Sequence, residues 1–396
     1  MRMVLPMRAD PPLRRGRAMF DSRSIVFASA PEAGDCLAAR LRGRQPLFVC
    51  VIASTDTALI PGLSAAGATT ELIPFTAAAD AEVLAYGAAR CINGVPCNPL
   101  GPPGPAIITR AALELGRIPH LIVSAGCRVL PQVDYVELGA EPGALISRGH
   151  AVGGAHDLFD RGRRLGRELA SAHDYLVVGE SVPGGTTTAL ALMLALGIRA
   201  EGRVSSSMAG NAHELKSRVA HEALAHLDPG EAARNPLAAV ETLGDPMQPA
   251  VAGIAAGAAD TGTPVLLAGG TQMIAVLALL RRLQLLGLAA TGGDIGVATT
   301  RWVVSDPTAD ATGLMCEVGD APLLATALCF AEARSEGLRL YEANLVKEGV
   351  GAGGSCVAAS LAAGVSCASL AARVEQIHEE MQASVLTHVP LGSGAP

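Results

Sequence analysis

The chain has 396 residues, half of them hydrophobic and only 3% aromatic, with a formal net charge of −7. That length allows one large α/β domain with a smaller part beside it, and the shortage of rings leaves Ala, Leu, Val and Ile to fill a closely packed core. A net acidic chain with so few aromatics lacks the basic stripes and stacking rings of a nucleic-acid surface, which points to a small-molecule substrate.

Near the start, Arg14, Arg15 and Arg17 precede Met19 with no apolar core of signal-peptide length behind them, and residues 1–20 read as a disordered tail. Residues 24–29 and 47–54 are β-rich runs that bracket a helix over 31–42, an opening β-α-β unit. The stretch 94–105 is so dense in Pro and Gly that it forms neither helix nor sheet. It stands either as a rigid wall of a ligand pocket or as a plain connection.

Further strands are expected at 120–124, 133–138, 174–178, 264–267, 301–305 and 314–318, separated by helical stretches such as 158–170. This alternation predicts an α/β fold, a Rossmann-like and mainly parallel sheet flanked by helices, with a smaller helical subdomain built from the terminal segments of a single domain over 21–396. The most apolar stretch, 264–290, carries Gly269-Gly270, Gln272, Arg281-Arg282 and Gln284, which excludes a lipid-facing span and leaves a buried strand and helix. Residues 336–347 read as helical, and 355–362 and 370–381 as closing helices, the last with Val374, Ile377 and Met381 on one face.

The nine cysteines include no C-x-x-C pair and no zinc-type cysteine/histidine cluster, a pattern of the reducing cytoplasm in which Cys91 and Cys97, flanking a loop, stay unpaired. His213, His221 and His226 are spaced by eight and five, so they do not share a helix face as an i, i+4 pair does. No membrane segment, metal or cofactor is expected.

Two glycine-rich segments carry the chemistry. In the first, the apolar run 175–178 leads through Gly179-Glu180-Ser181-Val182-Pro183-Gly184-Gly185-Thr186-Thr187-Thr188 into an Ala/Leu stretch over 189–198, a strand, tight loop and helix. Glycines let the backbone approach an anion, and the first amides of the helix point at it. The loop is not a P-loop, since no lysine precedes the threonines, and it lacks the G-x-G-x-x-G fingerprint. A neutralising cation is expected from Lys216, on a helix after a loop over 205–210 that follows the next strand. The second segment, Lys347-Glu348-Gly349-Val350-Gly351-Ala352-Gly353, ends the helical stretch over 336–347. A glutamate at a helix C-terminus is electrostatically misplaced, which favours a functional role for Glu348.

In order and content these motifs resemble those of the nicotinate-nucleotide:dimethylbenzimidazole phosphoribosyltransferase family, in particular its archaeal and cyanobacterial relatives. The family's G-E-x-x-x-G-N-T-T loop is similar to Gly179, Glu180, Gly184, Gly185, Thr186 and Thr187, with Gly185 in the asparagine position. Its phosphate-contacting lysine is similar to Lys216, its P-V-L-L-x-G strand to 264–269, and its R-L-x-E-G-T-G-A segment to 347–352. The resemblance runs from about residue 94 to the C-terminus. It implies transfer of 5-phosphoribose from nicotinate mononucleotide to a nitrogen of a benzimidazole-type base, giving nicotinate and the α-riboside phosphate of the cobalamin lower ligand.

On that resemblance Glu348 is the catalytic base, while Glu180, Gly184, Gly185, Thr186, Thr187, Lys216, Gly349 and Gly351 bind phosphate and ribose. Gly94 and Val95 keep part of the family's G-V-S opening and belong to the base pocket. The partners implied are the mononucleotide, an aromatic base and a second copy of the chain in a homodimer. The alternatives are a phosphoribosyltransferase with another acceptor such as adenine, and a non-catalytic nucleotide-binding homologue.

Overall fold

The computed structural model describes residues 24–208, 210–290 and 292–388. The expected tail over 1–20 lies outside the described residues. Eight strands form one sheet: β1 (Ile25–Ser29), β2 (Pro46–Ile52), β3 (His120–Ser124), β4 (Val136–Glu137), β5 (Tyr175–Ser181), β6 (Val265–Ala268), β7 (Ile295–Thr300) and β8 (Leu323–Thr326), in the order β1-β8-β7-β6-β5-β2-β3-β4. All neighbours are parallel except β1 and β8. Every residue of β2, β5, β6, β7 and β8 is buried, as a parallel sheet covered by helices on both faces requires.

Two apolar cores lie on opposite faces of this sheet. One packs the helices Ala155–Ala170, Gly185–Ala195, Met247–Asp260 and Thr271–Leu285, and the other packs Pro31–Leu41, Ala106–Gly116 and Ala352–Ala363. In the first core, the helices Ala155–Ala170 and Met247–Asp260 meet through glycines. A Cβ on Gly162 would stand 2.4 Å from the carbonyl oxygen of Ala250, and one on Gly257 would stand 2.1 Å from that of Arg163. Only residues without a side chain permit that approach.

The opening segment departs from the expected β-α-β unit. β2 sits in the middle of the sheet between β3 and β5, whereas β1 lies at the far edge, antiparallel to β8 and partly exposed. Burial marks β1 as an edge strand, but strand order is a long-range property that the local pattern does not carry.

The expected strands over 301–305 and 314–318 are helices, Arg301–Val304 and Ala311–Val318. The Asp310 side chain caps the second by accepting from the Gly313 amide at 2.8 Å. The strands β7 and β8 flank these helices and are short runs whose composition fits a buried helix equally well. Among the described residues no strand precedes the 205–208 loop between β5 and β6. The helix expected over 336–347 stops early: Glu336–Arg339 passes into a 3₁₀ turn, Leu340–Ala343, and ends at Asn344 in the left-handed region. The nine cysteines are free thiols, Cys91 and Cys97 included. Among the described residues no helix is long and apolar enough to cross a membrane.

Candidate active site

β5 ends in Glu180-Ser181, and the chain turns through Val182-Pro183-Gly184 into the helix Gly185–Ala195. This turn forms one wall of a cavity of about 400 Å³ at the carboxyl ends of the parallel strands, the position where open α/β sheets hold their ligands. Glu180, Gly184, Gly185 and Thr186 line it, and so do Glu348 and Gly349 from the second segment, together with Val95 and Pro96 from the Pro/Gly run. A recess of about 60 Å³ adjoins it, bounded by Thr186, Ser206, Ser207, Thr271, Lys347 and both glutamates. The helices Gly185–Ala195 and Thr271–Leu285 both begin there, so two positive helix ends converge on one small space, although at the first the Gly185 and Thr187 amides already donate to the Val182 and Gly184 carbonyls at 3.1 and 3.0 Å.

Glu348 is not at a helix C-terminus. It precedes the helix Ala352–Ala363, and its Oε1 accepts from the amides of Gly349 and Gly353, each at 3.2 Å. Its Oε2 accepts from Thr299 Oγ1 and the Thr300 amide, each at 2.9 Å. The carboxyl is therefore held in one orientation at the positive end of a helix, which reverses the electrostatic misfit expected from the sequence. Burial pushes it up to about 7, against the pull of those hydrogen bonds.

Glu180 is pushed up to about 8, by burial first and then by the negative charges of Asp245 and Glu348. Both carboxyls are thus raised above the usual carboxylate range, and burial is the main cause for each.

Beneath the recess lies a fully buried ion pair. Lys347 Nζ donates to Asp306 Oδ2 at 2.7 Å, to Asn211 Oδ1 at 3.0 Å and to the Met208 carbonyl at 2.9 Å. Burial alone would raise Asp306, but Lys347, Asn211 and Ser205 hold it well below the usual carboxylate range. Lys216 belongs to the same network and not to the cavity wall. Its Nζ donates to Ser206 Oγ and to the Asn211 carbonyl, each at 2.6 Å, and it reaches the recess only through Ser206. Burial, followed by the charge of Lys347, lowers it to about 7.

Several residues singled out from the sequence are near the cavity without lining it. Thr187 is fully buried and its Oγ1 has no partner among the described residues. Gly351 packs against Gly179 of β5, where a Cβ would meet the Gly179 Cα at 3.0 Å, and so holds the two segments together. Gly94 is set back while its neighbours Asn93 and Val95 reach the wall.

Sequence reasoning misses two others. Asp80, on the helix Thr76–Tyr86, and Gln272 both line the main cavity. The signal for Gln272 is a repeat: Gly269-Gly270-Thr271 after β6 copies Gly184-Gly185-Thr186 after β5. A Cβ on Gly185 would stand 1.7 Å from Gln272 Nε2, so the Gln272 amide fills the space beside residue 185. That amide donates to Asp245 Oδ2 at 3.3 Å, and its Oε1 is buried without a partner. Among the described residues no three His, Cys, Asp or Glu side chains are grouped so as to hold a metal ion.

A family model described as phosphoribosyltransferase matches residues 149–285. The UPF0284 protein of Methanothermobacter thermautotrophicus is 42% identical over 339 residues, 84% of this chain and 92% of its own. That of Pyrobaculum calidifontis is 46% identical over 317 residues, 79% of this chain and 90% of its own. The UPF0284 protein glr4139 of Gloeobacter violaceus is 46% identical over 358 residues, 89% and 92% of the two chains.

Among solved structures, that of CobT from Thermus thermophilus aligns with a TM-score of 0.55 at 20% identity, covering 88% of this chain and 90% of its own. The nicotinate-nucleotide-dimethylbenzimidazole phosphoribosyltransferase of the same organism aligns with a TM-score of 0.54 at 18% identity, over 89% and 92%. At these identities the fold is what is shared.

Proposed function

The chain belongs to the UPF0284 protein family, and from that premise and the cavity described above we propose that it transfers 5-phosphoribose from nicotinate mononucleotide to a nitrogen of a benzimidazole-type base. The observation that carries the reading is that Glu180 and Glu348, from segments far apart in sequence, line one cavity together with a glycine-threonine loop at a helix start. The match of residues 149–285 to a phosphoribosyltransferase family and the fold shared with nicotinate-nucleotide-dimethylbenzimidazole phosphoribosyltransferase support it. Residues 21–396 act in this reading as one phosphoribosyltransferase domain, working in the cytoplasm as a homodimer, and light scattering tests the assembly.

The phosphate occupies the small recess, where two positive helix ends and the hydroxyls of Thr186, Ser206 and Ser207 meet it, while Lys347 stays paired with Asp306 beneath. Lys216 acts behind them, orienting Ser206. The ring nitrogen of the acceptor attacks C1′ as the bond from C1′ to the pyridinium nitrogen breaks, and that bonding pair returns to nicotinate, which leaves with its ring nitrogen neutral. The acceptor's N–H proton passes to Glu348. General-base help of this kind contributes about 10²–10⁴ in rate. Glu180, protonated near pH 7, donates a hydrogen bond to the donor's ribose.

The test is chromatographic detection of nicotinate from purified protein given the mononucleotide with dimethylbenzimidazole, with adenine, or with no acceptor. Release that depends on an acceptor is expected. Folded protein that binds the mononucleotide and releases nicotinate with none of them would make the chain a non-catalytic nucleotide binder.

A further inference from the structure

Asp80 has no part in the chemistry above. It is 5% exposed, lies on the cavity side of the helix Thr76–Tyr86 with Thr76 and Ala79, and has no cation beside it among the described residues. Its Oδ2 accepts from Ser181 Oγ at 2.7 Å. Its Oδ1 takes no hydrogen bond from the described residues, and it stands 3.9 Å from where a Cβ on Gly104 would be, with the Pro96 carbonyl oxygen 3.5 Å from that same point. Asp80 thus stands between the Pro/Gly run and the end of β5, where its charge also acts on Glu180. The cavity it lines is walled by Leu72, Ala79, Ile92, Val95 and Pro96 together with the polar Thr76, Asn93 and Asn98. A carboxyl oxygen that faces the cavity and takes no hydrogen bond from the described residues can accept one from what binds there.

We propose that Asp80 selects the acceptor: it accepts a hydrogen bond from an N–H or O–H group on the rim of the flat ring, so that the cavity takes a heterocycle carrying such a donor in preference to one carrying only methyl groups. The inference rests on the acceptor role given to this cavity above, and it identifies the substrate class more narrowly. A methyl group in the same position would leave Asp80 buried and unpaired, and a site built to pair a polar group rejects the analogue without it more strongly than an apolar slot rejects a hydroxyl. Burial pushes the Asp80 carboxyl up to about 7, so measurement at pH 8 keeps most of it ionised and an acceptor only.

The test is equilibrium dialysis at pH 8 with two rings of nearly equal size, 5-aminobenzimidazole and 5-methylbenzimidazole, on the unaltered protein and on Asp80→Leu and Asp80→Asn. The amino ring should bind at least about tenfold more tightly to the unaltered protein, the range of one charge-assisted hydrogen bond. Asp80→Leu should abolish that preference, and Asp80→Asn should reduce it.

Equal binding of the two rings to the unaltered protein overturns the proposal without any variant. An undiminished preference in Asp80→Leu, or in Asp80→Asn if the leucine variant does not fold, overturns it as well. Nicotinate mononucleotide is dialysed in parallel to separate the two readings. Loss of ring preference on substitution with no donor binding would sustain Asp80 and sink the transferase, while donor turnover with no ring preference would do the reverse.

Discussion

The backbone amide of Val350 donates to the carbonyl oxygen of Glu180 at 2.8 Å, joining the two glycine-rich segments through main chain alone. Val350 sits at φ 56°, a left-handed conformation that a β-branched residue adopts only when its surroundings force it. Its carbonyl accepts from Thr109 Oγ1 at 2.9 Å, so both faces of the strained peptide are pinned. Strain of about 1–3 kcal/mol is thereby held next to Glu348, where the direction of the carboxyl matters most.

Replacing Glu348 by Gln should lower the rate of nicotinate release at least about a hundredfold with the mononucleotide still bound. The amide group would turn an N–H₂ toward donors that now face a carboxylate, so melting should fall as well. Single-turnover release measured beside donor dialysis separates the two effects, and unchanged turnover would remove Glu348 from the mechanism.

The pH dependence of turnover follows from the same carboxyl. A base works only when ionised, and Glu348 is raised to about 7, so the rate should climb with pH through about 7 and fall again above about 8, where Glu180 loses the proton it donates. A rate that is flat from pH 5 to 8, with donor binding constant, would assign the proton to another group.

Stability should move in the opposite direction. Burial raises Asp80 and Glu348 to about 7 and Glu180 to about 8, above unfolded values near 4. Between those limits the folded chain binds more protons than the unfolded one, so stability falls as pH rises. Asp306, held low, loses its contribution only in stronger acid, and Lys216, lowered to about 7, acts above that pH with the opposite sign. Melting of the ligand-free protein should drop by roughly 5 °C or more between pH 5 and 7. A rising melting temperature would contradict the buried placement of these acids.

Gly185→Ala should abolish donor binding or weaken it at least about tenfold, since the new methyl group meets the Gln272 amide at 1.7 Å. Gln272→Ala opens that space, so the double variant should bind the donor better than Gly185→Ala alone. A double-mutant cycle by calorimetry reads the coupling, and additive losses would mean the two residues do not compete for the same volume.

Lys347→Met should destabilise the chain by about 3–5 kcal/mol because Asp306 is left charged and buried. Lys347→Met with Asp306→Leu should regain much of that loss in urea unfolding. If the double variant is no more stable than the single one, the pair is held by packing and not by charge.

The site is legible in the sequence where its signals are local. Glu348 stands in a glycine-rich loop before a helix, and Glu180 at the end of β5 where a glycine-rich turn leads into the next helix, as the composition of both segments implies. Lys216 has the residue type and the helix expected of a phosphate partner, but whether a lysine reaches a cavity depends on what stands between, here Ser206. Asp80 reads as one acid in an alanine-rich helix, because only the packing of that helix against β5 turns it inward. The sheet is legible in kind and not in order. Short, fully buried strands such as β7 and β8 have no alternation to separate them from helix, and the edge position of β1 is decided by a partner some 300 residues later.

The glycine contacts between the helices Ala155–Ala170 and Met247–Asp260 fix one face of the sheet whose strand ends carry the cavity. Two helices that touch through their backbones, with carbonyl oxygens where side chains would otherwise give way, have no room to slide or roll over one another. The face of the sheet that carries them is an anvil. The loop residues Ala65, Gly67, Asn93 and Val95 that line the cavity lie outside that helix pair, so the loop wall is the side that such backbone contacts leave unconstrained.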